Sequence, residues 1–179
     1  RALASGRAAV ALDRLAAIGR PYPDGLEADV HELTGRAELM AGNLAAGVAA
    51  FAERELWLGD AAAVADNHDL LWQRLREAAP APARIVADTG DPVVDGWLRL
   101  AAIAGPGESN PARIRSALGT WQRRHDGHPA NARIVPALQA RYRALTVYPS
   151  RIALLLPLSG PLAPAAEAVR DGFVAAQLD

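Results

Sequence analysis

Over residues 1–145, apolar side chains recur at helical steps of three and four, and glycine or proline cuts the pattern at short intervals. No stretch there alternates in the way a strand of usual length requires, so this part is predicted to be all-α. The first helix places Ala4, Ala8, Ala11, Leu15 and Ile18 on one face and ends at Gly19, Arg20 and Pro21. A second begins near Pro23 and Asp24 and runs to Ala41 with Val30, Leu33, Ala37 and Met40 inward. Gly42 and Asn43 then turn the chain into a third that ends near Trp57.

The punctuation continues in the same style. Asp66 or Asn67 is the expected cap of a helix carrying Leu70, Leu71, Leu75 and Ala78, which Pro80 closes. Asp91 with Pro92 opens another, carrying Val94, Trp97, Leu98 and Ala101. Asn110 with Pro111 opens a helix whose inner face is Ile114, Leu118 and Trp121, and after Gly127 the residues Ile134, Leu138, Tyr142 and Leu145 line the next. Short helices joined by tight turns predict stacked helical hairpins. Gly35, Gly42 and Phe51 stand at the spacing of the small, turn and aromatic positions of a tetratricopeptide repeat, a unit of roughly 34 residues, with Gly47 where that pattern usually has alanine. A second unit around Trp97 and Trp121 follows the pattern less closely. An ordinary bundle whose glycines only end helices would show the same punctuation; the spacing favours the repeat.

Tyr148, Pro149 and Ser150 form a short linker, after which RIALLLPLSG is expected to form a continuous apolar strand over residues 152–156 followed by a turn. Pro161 then opens an amphipathic helix with Leu162, Ala166, Val169, Phe173 and Ala176 inward. The expected organisation is a helical-repeat domain over residues 1–147, then a linker and the first βα unit of an α/β domain over residues 148–179. With 179 residues the chain has room for one full-sized domain and a fragment of another. Because it starts at Arg1, without Met or a signal segment, it is expected to be a processed or engineered piece of a longer protein.

Composition narrows the function classes. A formal charge of -1 gives no overall electrostatic drive toward nucleic acid or an anionic membrane, and every one of the 19 basic residues is arginine, which reads as coding bias rather than function. There is no cysteine, so disulfides, thiolate metal sites and cysteine nucleophiles are excluded within this stretch. The longest apolar run is strand-sized, well short of the roughly 20 residues that cross a bilayer.

Candidate chemistry is sparse. His125 and His128 are close in sequence, but Gly127 and Pro129 put them on a turn with only Asp126 nearby, and a zinc site needs three or four convergent ligands. His125 is expected to face the carbonyls at a helix C-terminus, where positive charge is favoured. His31 and His68 are lone residues on separate helices, read as packing or surface groups. Glu53 and Glu55 point about 200 degrees apart on a helix and make no acid–base pair. Ser159 lies on a strand-to-helix turn but lacks the glycine two positions earlier that a hydrolase elbow uses. Ser159 and Gly160 instead offer a hydroxyl and backbone amides where ligands collect in open α/β sheets, but a plain structural turn is the favoured account of them, since every such strand needs one. No catalytic residue, cofactor or metal is assigned, and the chain is expected not to be an enzyme.

The closing segment RIALLLPLSGPLAPAAEAVRDGFVAA resembles the opening strand, loop and helix of type I periplasmic binding proteins, with Pro157, Ser159, Gly160, Ala163 and Gly172 at that motif's spacing and Ala166 in place of a common glycine. The wording of PLSGPLA and AVRDGFVAA more closely resembles the LpoA family, outer-membrane lipoprotein activators of bifunctional penicillin-binding proteins. LLWQRL, GWLRLA and WQRRHDGHPAN look like that family's tetratricopeptide-like N-terminal domain, whereas residues 1–60 match only as generic helical repeat. The resemblance implies exposure to the periplasm, membrane attachment only through a lipid anchor outside this stretch, and stimulation of a peptidoglycan synthase by contact, with peptidoglycan itself as a further partner. A periplasmic receptor for amino acids or similar solutes is the competing expectation, since the closing motif is shared with such proteins; the long helical prefix argues against it.

Overall fold

The computed structural model describes residues 2–78, 85, 87–105, 110–145 and 153–178. The chain divides into two compact units, Arg1–Thr146 and Val147–Asp179. The expected boundary at 147/148, the linker at Tyr148–Ser150 and the closing residue Pro80 lie outside the described residues.

Every regular element among the first unit's described residues is helical, the α-helices being α1 (Ala8–Ala16), α2 (Glu27–Ala41), α3 (Leu44–Glu55), α4 (Ala61–Ala78), α5 (Pro92–Ala104), α6 (Pro111–Arg124) and α7 (Ile134–Ala144). Their ends follow from local chemistry. Asp91 accepts from the Val93 and Val94 amides at 2.8 and 3.2 Å, and Asn110 accepts from those of Ala112 and Arg113 at 2.9 and 3.2 Å. In both cases proline follows the cap, where its missing N–H goes unmissed. Gly42 ends α2 in the left-handed region at φ 87°, and the Gly42 and Asn43 amides return to Leu39 and Glu38. That two-residue turn folds α2 and α3 into an antiparallel hairpin.

Glycines set how closely the hairpin closes. A Cβ on Gly35 would lie 2.7 Å from the Phe51 ring, and one on Gly47 would lie 2.5 Å from Leu39 Cγ. The small and aromatic positions read from the repeat spacing therefore meet face to face. One core cluster runs from Leu39, Val48 and Phe51 through Leu71 and Leu75 to Trp97, Leu118 and Val135. A separate small cluster of Ala2, Ala11 and Ala37 ties α1 to α2.

Several faces differ from expectation. Leu33 and Met40 are exposed, and α2 instead buries Val30, His31, Gly35, Ala37 and Leu39. Ile18 and Leu145 are also exposed. Asn67 does not cap α4. Asp60 does so, accepting from the Ala63 amide at 2.8 Å. Asn67 lies inside the helix, 1% exposed, donating to the Phe51 carbonyl at 3.0 Å and accepting from Arg54 at 2.9 Å.

In the second unit, residues 153–158 lead to a bend at Ser159 and Gly160 and then to α8 (Ala163–Leu178). The helix half of the expected βα unit is present. Its strand half is not: no strand forms among the described residues, and Ile152 falls outside them. A strand exists only by pairing, and the described residues offer no second strand to receive its backbone groups. Ala166 is buried, whereas Leu162, Val169 and Phe173, expected inward, are exposed.

Candidate functional site

The densest chemistry lies where α5, α6 and the turn before α7 meet. Trp121 donates from its indole Nε1 to the Gly96 carbonyl at 3.0 Å, which fixes α6 on α5. The ring of His128 packs edge-on to Trp97 and Trp121 at centroid distances of 5.1 and 5.0 Å, and Trp72 extends the row. Both ring nitrogens of His128 are engaged. Nε2 lies 2.9 Å from the Val93 carbonyl, and Nδ1 accepts from the Ala130 amide at 3.1 Å, which assigns the neutral Nε2–H tautomer. Burial holds its pKa down at about 4, against the opposing hydrogen bond to Val93.

His125 departs from its expected cationic role. Its ring stacks on Trp121 at 4.9 Å, and its pKa is lowered, first by burial and then by the Arg99 and Arg124 charges, with Asp95 opposing. Nor do the two histidines form a ligand pair, since each nitrogen of His128 already has a partner. His31 is buried, edge-on to Tyr22 at 5.6 Å, with its pKa lowered first by burial and next by Arg20. His68 Nε2 lies 2.7 Å from Glu55 Oε1, while Glu53 stays exposed, so Glu53 and Glu55 diverge as their spacing requires.

Beside this row lies an open groove of about 550 Å³ between α5 and α6. Ala102, Ile103, Ala117 and Trp121 form an apolar floor, and Arg99, Arg113 and Arg124 stand on its rim. Among the described residues, no carboxylate lines it. The nearby Asp95 is committed to Thr89, whose amide and hydroxyl both donate at 2.8 Å and hold its pKa below the usual carboxylate range. On the other flank of α6 a polar groove of about 440 Å³ is lined by Arg115, Ser116, Gln139 and Arg143.

Whole-chain charge conceals this arrangement. Residues 110–145 hold seven arginines and one carboxylate, Asp126, a segment charge of +6 in a chain whose total is -1, and of these Arg133 is paired with Asp66 and Asp69 at 3.5 and 2.7 Å. Counting charge by segment would have found it; reading the arginines as coding bias did not. Ser159 and Gly160 sit together on an exposed bend, where Gly160 adopts φ 81° and its carbonyl accepts from the Ala163 amide at 3.1 Å.

Comparison with known proteins adds the family. Residues 37–179 match the model of the LppC lipoprotein family. A penicillin-binding protein activator LpoA from Yersinia pseudotuberculosis is 34% identical over 113 residues, which is 63% of this chain and 17% of that protein. One of the same name from Vibrio antiquarius is 35% identical over 92 residues, 51% of this chain and 15% of that protein. This chain thus spans less than a fifth of the length of either relative. A solved structure of LpoA from Haemophilus influenzae superposes on 96% of this chain and 32% of its own, with a TM-score of 0.66 at 24% identity, and so shares the fold. The resemblance read from PLSGPLA and AVRDGFVAA is met by these matches, and the chain belongs to the LppC lipoprotein family.

Proposed function

We propose that this chain is a non-catalytic part of an activator of a bifunctional penicillin-binding protein, working from the periplasmic side of the outer membrane in a lipid-anchored protein. The sequence relationship to proteins named as penicillin-binding protein activators carries this reading. The helical hairpins of residues 1–147 act as a stiff spacer reaching toward the cell wall and the peptidoglycan, a use suited to stacked repeats. Residues 148–179 begin a binding-protein-like domain that carries most of the synthase contact, with the Ser159–Gly160 bend as a ligand or partner loop. The row of buried aromatic rings supports a structural rather than a catalytic centre, since its polar atoms are spent on backbone groups.

The test is peptidoglycan synthesis by a purified bifunctional penicillin-binding protein, followed with and without the full-length lipoprotein that contains this stretch. A raised synthesis rate with the full-length protein, and none with residues 1–147 alone, is the expected result. A full-length protein that leaves the rate unchanged overturns the reading.

A further inference from the structure

We propose that the turn over residues 125–131 is an acid-operated latch on α5, closed while the His128 imidazole is neutral and released when the ring takes up a proton at Nδ1. Closure uses both ring nitrogens, in opposite senses. Nε2 donates to the Val93 carbonyl at 2.9 Å, whereas Nδ1 accepts from the Ala130 amide at 3.1 Å. An imidazolium has two donors and no acceptor. A proton on Nδ1 therefore sets two N–H groups against each other and removes the cap of the short helical turn Pro129–Asn131. The charged ring has no room to turn aside in place. It lies against Gly96, where a Cβ would fall 2.5 Å from Nε2, and Trp97 and Trp121 flank it at 5.1 and 5.0 Å.

The release is local, because most of the turn's bonds travel with it. Of residues 126–133 only His128 and Ala130 are buried, and alanine is a small anchor. Asn131 donates to the His125 and Asp126 carbonyls at 2.6 and 2.8 Å, which holds the shape of the turn but does not fasten it to α5. Among the described residues, its hydrogen bond to α5 is the one from His128 Nε2. Meanwhile Trp121 keeps α6 on Gly96, and Ile134, Val135 and Leu138 keep α7 in the main core.

The charges around the ring set the direction of the switch. Burial, the largest influence, holds the His128 pKa down at about 4; the Val93 carbonyl and Glu55 on α3 oppose it, and His125 on the turn and His68 on α4 reinforce it. The other charged groups nearby are engaged or act at one remove. On α5, Asp91 accepts from the Val93 and Val94 amides, Asp95 from Thr89, and Arg99 donates to the Ala87 carbonyl. Asp126 accepts from the Gly127 amide, Arg133 pairs with Asp66 and Asp69 of α4, and Arg124 at the end of α6 bears on His125. A released ring titrates near 6.5, so closure is firm at neutral pH and weakens as pH falls from there toward 4. His125 and Trp121 also line the groove between α5 and α6, so release opens that end of the groove. The latch belongs to the helical unit alone and stands or falls apart from the synthase-activator reading.

The test is amide hydrogen exchange in the 179-residue chain, read by NMR and expressed as protection relative to an unfolded peptide at the same pH. From pH 6 to pH 4.5 the protection of Ala130 is expected to fall at least about tenfold, the factor set by one group with a pKa near 4 when closed and near 6.5 when released. At pH 4.5 it should be insensitive to low concentrations of urea, since a swinging turn exposes little surface. The protection of Leu118 in α6, lost only when the unit unfolds, should fall with urea. His128→Asn supplies an amide oxygen that caps Ala130 as the imidazole does and takes up no proton in this range, so its Ala130 protection should be flat with pH. His128→Gln carries the same group on a longer arm and serves if the shorter side chain does not fold.

Equal protection and equal urea dependence at Ala130 and Leu118 overturn the proposal, because the turn then opens only with the whole unit. A flat Ala130 profile in the unsubstituted chain overturns it as well. So does an acid-sensitive Ala130 in the folded variant, which passes the trigger to His125, His68 or a carboxylate.

Discussion

The imidazole of His128 lies directly against the backbone of Gly96, in the space where any other residue of α5 would carry a side chain. A Cβ at Gly96 would fall 2.5 Å from His128 Nε2, the atom bonded to the Val93 carbonyl. Alanine in a helix gains at most about 1 kcal/mol over glycine, whereas forcing an atom into a filled site costs roughly 1 to 3 kcal/mol and the lost hydrogen bond about 1 more. Gly96→Ala should therefore destabilise the first unit by about 2 kcal/mol in urea unfolding. An unchanged midpoint would show that His128 can swing aside freely.

The same histidine predicts a pH dependence. Its folded pKa of about 4 lies below the unfolded value near 6.5, so the unfolded chain binds the proton more tightly. Its contribution is fully present above pH 6.5 and falls away as pH drops from there toward 4. On the order of 2 kcal/mol should be lost across that window, with His31 and His125 adding in the same direction. Proton NMR should find the His128 ring signals unmoved between pH 7.5 and pH 5.5; a midpoint near 6.5 would contradict the buried neutral ring.

Glycines in helices should split by what faces them. Gly35→Ala and Gly47→Ala each drive a Cβ into Phe51 or Leu39 and should destabilise by roughly 1 to 2 kcal/mol after the propensity gain. Gly119 in α6 meets only Arg123 Nη1 at 3.6 Å, an ordinary contact. Gly119→Ala should therefore stabilise, by about 0.5 to 1 kcal/mol, and raise the melting temperature by a few degrees. Scanning calorimetry on the three variants reads both signs.

Trp121 joins packing and hydrogen bonding at one side chain. Trp121→Ala should cost about 3 to 5 kcal/mol, and Trp121→Phe, which keeps a ring but loses the donor to Gly96, about 1 to 2. If Trp121→Phe melts like the unsubstituted protein, the hydrogen bond contributes nothing measurable; if it melts like Trp121→Ala, the ring's packing does not.

What could be read in advance was local. Asp91 and Asn110 announce helix starts because a cap and the proline after it act within one turn. The inner face of α2 was misjudged at Leu33 and Met40 because the buried arc contains Gly35 and His31, which a search for apolar residues passes over. Asn67 has the chemistry of a cap, but its partners are the Phe51 carbonyl and Arg54 on the preceding helix, contacts that no short window contains. The expected strand over residues 152–156 depends on a pairing partner even more distant in sequence. The basic groove was legible in the segment charges, but only once α5 and α6 are known to be neighbours does a row of arginines become a rim.

The uneven charge has a consequence for the behaviour of the molecule as a body. Residues 2–78 carry seven arginines against twelve carboxylates, and residues 110–145 carry seven against one. Arg133 of the second segment meets Asp66 and Asp69 of the first at 3.5 and 2.7 Å, and away from that contact the fold keeps patches, or poles, of opposite sign whose fields nearly cancel at a distance but not up close. Such a particle is oriented by any charged surface it approaches. At low ionic strength copies attract one another pole to pole, and added salt, by shortening the reach of each pole to about 8 Å at physiological strength, should make the protein more soluble rather than less.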